Sequence, residues 1–233
     1  MSNSVLTSFI SLIKQQQLSK LPEFYLSLDE SDKVLVLKFC FEQGTKSVEA
    51  YPFFQDLSVQ LIKAHTKLPE LFISGINTLE RLSFFTPAFS EVQGYSQTNK
   101  QGNTLLHALC SNTAQSELPF NYLRSLVLFE RNESIAQGLA TMNHQSMRPI
   151  DCYLAFNHDL KNLPDHELSA LFTLIEVQTK TSQVLPPGLL SAICQFLIKN
   201  EVNKQLRPSH QRVMLIASSF QTDIKVVCKL LRI

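Results

Sequence analysis

The chain reads as all-α, built from stacked antiparallel helix pairs. Three observations predict this. Apolar residues recur at spacings of three and four along most of the 233 residues. Proline or an acidic residue stands at the head of several of these runs, as helix starts require. Glycine is scarce, at 6 residues, which argues against a loop-rich β fold and against a glycine-lined nucleotide site.

The elements follow in order. Val5, Phe9, Ile10, Leu12 and Ile13 have helical spacing and predict a first helix ending near Gln17. Pro22 opens a short segment, Glu23 to Leu28. Asp29, Ser31 and Asp32 are capping residues for Lys33 to Gln43. That run, KVLVLKFCFEQ, has the β-branched and aromatic content of a buried strand. The acidic cap before it and Gly44 after it favour a helix. Tyr51 and Pro52 open a helix to about Lys63. Pro69 opens the next, to about Phe84, with Leu71, Phe72, Ile76, Leu79 and Leu82 as its inner face. Phe85 to Thr98 has a proline, a glycine and no periodicity, and reads as a loop or hinge. Phe120 to Arg131 carries Leu123, Leu126 and Val127 on one face, and Asp165 to Lys180 carries Leu168, Leu171, Phe172 and Ile175. Pro186 and Pro187 precede Gly188 to Asn200, and Arg212 to Leu231 is apolar in two short pieces. The domain reading is an N-terminal helical region over 1–84, a hinge over 85–98 and a helical repeat region over 99–233.

The repeat region rests on two matched stretches. Asn99 to Cys110 reads NKQGNTLLHALC and Asn143 to Leu154 reads NHQSMRPIDCYL. Asn99 matches Asn143, Gly102 matches Ser146, Thr104 matches Arg148, Leu106 matches Ile150 and His107 matches Asp151. Each runs polar turn, then apolar helix start. A weaker echo, NKQLRPSH, occupies Asn203 to His210.

This layout resembles the opening of an ankyrin repeat, roughly D-x-x-G-x-T-P-L-H-x-A. The chain departs from the pattern at Leu105, Ser146 and Arg148, and at Leu109 and Tyr153 where the family has a small alanine. The two starts lie 44 residues apart, against about 33 in the family, so an insertion is expected within Ser111 to Asn121. The resemblance implies a protein-interaction module rather than a catalyst. It implies that the threonine caps the first helix and that the histidine bonds nearby turn backbone. It places partner contacts on the residues flanking the turn glycine. Those are Lys100, Gln101 and Asn103 in the first copy, and His144, Gln145 and Met147 in the second. Ser111, Asn112, Ala155 and Phe156 would continue the same concave face. The composition also resembles that of secreted effectors of intracellular bacteria, which implies a host protein as partner.

Charge excludes some classes. Lys plus Arg is 21 and Asp plus Glu is 20, a net charge of +1, so no strong field favours nucleic acid. No run of 18 apolar residues predicts a membrane span. The N-terminus has no basic segment or clear cleavage site, so no Sec signal peptide is expected. The expected compartment is the cytoplasm, or a host cytosol for an effector. The five cysteines, Cys40, Cys110, Cys152, Cys194 and Cys228, lie in apolar helical contexts without a C-x-x-C, and are expected to be reduced and structural.

Two other functional classes stay open from residues alone. His107 and Cys110, three apart, would share a helix face and could form a thiol–imidazole pair or half a metal site. Zinc spacings and nucleotide motifs are absent, so no cofactor or metal is expected. His144, Asp151 and Cys152 could be drawn as a constellation, but sequence proximity is not geometry. An enzyme of unrecognised type is one alternative. An apolar-ligand carrier using a Phe-lined cavity is the other, given 16 phenylalanines and no tryptophan.

Overall fold

Helix boundaries in this protein are written by short-range chemistry. A computed structural model describes residues 2–112, 120–129 and 133–156, and positions 167, 170, 171, 173, 174 and 177. Among the described residues there are ten α-helices, two single 3₁₀ turns and no strand, so the chain is all-α. Helix α1 is Ser2–Lys14 and α2 is Leu21–Ser27, with a 3₁₀ turn at Leu18–Lys20 between them. Helix α3, Glu30–Gly44, begins where the Asp29 carboxylate accepts the Asp32 N–H at 2.8 Å. The acidic cap therefore outweighs the strand-like composition of residues 33–43. Helix α4 is Ala50–His65, and its last turn closes at Thr66, which lies in the left-handed region at φ 59°.

Two expectations need correction here. The single helix expected from Pro69 to Phe84 is two, α5 at Glu70–Gly75 and α6 at Leu79–Glu91. The break has a local cause: Thr78 is extended and its hydroxyl accepts the Arg81 N–H at 3.3 Å, starting a new helix. With the helix broken, Leu71 falls out of the inner face and is 59% exposed, while Phe72, Ile76 and Leu82 are buried.

The loop expected over 85–98 is helical as far as Glu91 and then makes a 3₁₀ turn at Gly94–Ser96. Pro87 lies within α6 on its exposed side. Proline normally breaks a helix by removing a donor and crowding the preceding turn. Burial of Phe85, Ala88 and Phe89 on the opposite face compensates. Tyr95 in the 3₁₀ turn is also buried. Its hydroxyl meets Thr86 Oγ1 at 3.1 Å, and Tyr122 Oη lies 2.9 Å from the same atom.

Beyond this segment come α7, Leu105–Ser111, α8, Phe120–Phe129, α9, Glu133–Ala140, and α10, Pro149–Phe156. Helix α9 is an addition to the expected elements. Its Gly138 is obligatory, since a Cβ there would lie 2.2 Å from the Tyr95 carbonyl oxygen. The predicted helices at 188–200 and 212–231, the echo at 203–210, Cys194 and Cys228 lie outside the described residues. So does most of the segment from Asp165 to Lys180, although Leu171 and Leu174 are buried within the core.

Two rows of helices result. In one row α1 packs on α3, α3 on α5, α5 on α7 and α7 on α10. In the other, α2 packs on α4, α4 on α6, α6 on the Gly94–Ser96 turn, and that turn on α9. One buried apolar core runs from Phe9 to Leu174 between them. Its N-terminal part is a chain of edge-to-face aromatic contacts, such as Phe41 with Phe84 at 5.5 Å and Phe72 with Phe85 at 4.9 Å. Among the described residues no helix is long and apolar enough to cross a membrane.

Candidate functional site

The two matched sequence stretches form two turns built by the same bonds. In the first, the Asn99 N–H donates to the Asn103 carbonyl and the Gly102 N–H to the Asn99 carbonyl, each at 2.9 Å. In the second, the Asn143 N–H donates to the Met147 carbonyl and the Ser146 N–H to the Asn143 carbonyl, again at 2.9 Å. Each turn is folded around its leading asparagine. Asn99 Oδ1 accepts the N–H groups of Gln101 and Asn103 at 2.9 and 3.0 Å. Asn143 Oδ1 accepts those of Gln145 and Met147 at 3.0 Å. The short asparagine amide mimics a backbone acceptor, which is why this residue type organises turns. The two asparagines occupy matched positions in the sequence, and their role in folding the turns is visible only in the structure.

The turns lie side by side. The His144 N–H donates to the Gln101 carbonyl at 3.0 Å, and Asn143 Nδ2 donates to Asn103 Oδ1 at 2.8 Å. The helices that follow, α7 and α10, pack on each other. Each start is closed by its fourth residue. The Thr104 N–H donates to His107 Nδ1 at 3.0 Å, and the Arg148 N–H donates to Asp151 Oδ2 at 2.9 Å. This is the reciprocal half of a capping box. His107 also reaches forward, with Nε2 3.0 Å from the Met147 carbonyl. These partners assign the Nε2–H tautomer to His107.

This framework sorts the nine candidate contact residues. Lys100, Gln101, His144 and Gln145 are exposed at the turn tips. Lys100 makes a loose ion pair with Glu70 at 3.6 Å, too exposed to hold the side chain firmly. Asn103 and Met147 are half-buried, Asn103 spending its amide oxygen on Asn143 and Met147 its carbonyl on His107. Ser111 and Asn112 are half-buried at the end of α7. Asn112 Nδ2 donates to the Asn77 carbonyl at 2.6 Å, tying α7 to the α5–α6 connection. Phe156 ends α10, and its side chain, like that of Ala155, lies outside the described residues.

The catalytic and metal alternatives meet a different chemistry. Both ring nitrogens of His107 are engaged in holding turns, leaving no lone pair directed at Cys110. Burial pushes the Cys110 thiol well above the usual thiol range, with neighbouring Cys152 adding to the effect. Cys152 is raised mainly by burial, and Cys40 is pushed up to about 12. A nucleophilic or metal-binding cysteine needs the opposite shift. Cys40, Cys110 and Cys152 are free and buried. Asp151 is raised by burial, although the Arg148 N–H and charge act against it. Among the described residues no group of three or more His, Cys, Asp or Glu side chains is arranged to hold a metal.

Compared with protein-family models, curated proteins and solved structures, the chain matches none.

Proposed function

We propose that this chain is a protein-interaction module of ankyrin type, which presents exposed turn tips from a stacked helical frame to a protein partner. The observation that carries the reading is the pair of like-built turns hydrogen-bonded side by side, with Lys100, Gln101, His144 and Gln145 exposed on them. A recognition surface benefits from this construction. Backbone already ordered by internal bonds loses little further freedom when a partner docks. The side chains at the tips are chemically varied and carry no core function, so they can set specificity without disturbing the fold. A bacterial effector acting on a host protein is the narrower form of this proposal, supported by composition alone.

The test is a paired capture. Wild-type protein and the variant Lys100→Ala/Gln101→Ala/His144→Ala/Gln145→Ala are used as bait in bacterial and eukaryotic lysates, with mass spectrometry as readout. A partner held by wild type and lost by the variant, with both baits equally stable, supports the reading. A partner that binds both equally removes the turns from recognition. A partner found only in eukaryotic lysate supports the effector form.

A further inference from the structure

We propose that a cavity between α3, α5 and the start of α6 binds a carboxylate carried on a compact apolar group of about one aromatic ring. The cavity has a volume of about 180 Å³. Its walls are Val34, Phe41, Phe72, Ile76 and Phe85. An apolar cavity of about 150 Å³ holds a benzene ring, so this one accommodates a single ring and little more.

Its polar groups have one sign. Lys38 and Arg81 line it, and among the described residues no carboxylate does. Arg81 is held in place: Nη1 donates to the Gly75 carbonyl at 2.8 Å and to Asn77 Oδ1 at 3.1 Å, and its guanidinium carbon lies 5.8 Å from the centre of the Phe41 ring. Those bonds use one terminal nitrogen of a planar fork suited to carboxylate recognition. Lys38 makes an exposed contact with Glu42, at 3.7 Å. Apolar walls with a few fixed polar groups are the usual make-up of a small-ligand site.

Gly75 supplies an independent observation. Gly44, Gly94 and Gly138 are each crowded by neighbours that a Cβ would meet at 3.0 Å or less, and Gly102 has φ +75°. Gly75 has neither constraint. A Cβ there would meet nothing within 4 Å, and its φ is not positive. It lines the cavity as the last residue of α5. The effect of glycine at this position is to leave the cavity open. The site is distinct from the turn tips, so its test and that of the turns succeed or fail separately.

The experiment measures binding of 3-phenylpropionate to the full chain by ligand-observed NMR and calorimetry, beside the neutral 3-phenylpropanol and the peptide-end mimic N-acetylphenylalanine. For a ligand of this size the expected Kd is on the order of 1 mM. The alcohol should bind at least about tenfold more weakly, the loss of one charge-assisted contact. Gly75→Leu should abolish binding without lowering the thermal midpoint, and Lys38→Gln should weaken the acid but not the alcohol. Tighter binding of N-acetylphenylalanine would identify a peptide C-terminus as the source of the ligand, and weaker binding a free acid. No binding of 3-phenylpropionate, equal binding of acid and alcohol, or unchanged binding in a folded Gly75→Leu variant would each overturn the proposal.

Discussion

The two turns share a backbone and differ in the side chains that satisfy it. In the first, the left-handed position is Gly102 at φ +75°, and in the second it is Ser146 at φ 60°. Conformation alone would favour glycine at both. The difference lies in what covers each turn. A Cβ on Gly102 would lie 3.1 Å from the His144 ring and 3.2 Å from Asn143 Cα, because the second turn is packed against it. Ser146 is exposed. The helix starts differ in the same way. His107 accepts from the Thr104 N–H and donates onward to Met147, joining its own turn to the next. Asp151 accepts from the Arg148 N–H through Oδ2, while Oδ1 is buried without a partner among the described residues. A covered turn therefore demands glycine and a two-handed cap, whereas the second turn keeps only the cap. The differences between the two turns at Gly102 and Ser146, and at His107 and Asp151, follow this asymmetry.

The comparison is broken most directly in the core. Leu106 and Ile150 occupy matched positions and both are fully buried. Leu106→Ala and Ile150→Ala should each cost about 2–5 kcal/mol in chemical denaturation. A much smaller loss for Ile150→Ala would mean that the second unit does not share the first unit's core. The left-handed positions should separate next. Gly102→Ala should cost about 1–3 kcal/mol, from backbone strain and crowding by His144. Ser146→Gly should lie within about 0.5–1 kcal/mol of wild type, since relief of φ strain offsets greater unfolded-state freedom. Equal effects would show that the neighbouring turn is not what demands the glycine.

His107 sharpens the contrast through pH. Burial lowers its pKa in the folded protein, with the Met147 hydrogen bond opposing in part. Protonation is then easier in the unfolded chain, so the His107 contribution is complete above an unfolded value of about 6.5 and is lost as pH falls through the depressed folded value. Protonated Nδ1 could not accept the Thr104 N–H. Asp151, raised by burial, acts in the opposite sense: its contribution is complete below an unfolded value of about 3.9 and is lost as pH rises through its folded value. The His107 component of stability should therefore decline from pH 7 to 5.5 in wild type and vanish in His107→Asn, so the difference between the two proteins should narrow as pH falls. At pH 7 the variant should be weaker by about 0.5–1.5 kcal/mol, for the lost bond to Met147. Denaturation midpoints across pH measure both. The smallest effects belong to the tips, where Lys100→Ala and Gln145→Ala should each shift stability by within about 0.5 kcal/mol.

Much of the helical content was legible along the chain, because caps and apolar spacing act within a few residues. Asp29 starting α3, the prolines near the starts of α2 and α4, and Thr104 opening α7 are cases of that kind. So was the correspondence of the two turns, including the structural part played by Thr104 and His107. The helix through Pro87 was not legible, because its cost is met by Phe85, Ala88 and Phe89 packing on distant residues. Helix α9 was missed for a related reason, since Gly138, a poor helix former, is there for the Tyr95 backbone. The sequence by itself determined where backbone hydrogen bonds close locally, and hence the all-α class and the turn chemistry. Only the tertiary structure decided which turn is covered, which asparagine amide joins neighbours, and that Lys38, Gly75 and Arg81 line one cavity. Those outcomes depend on contacts between residues far apart in the chain, and the spacing of nearby residues does not encode them.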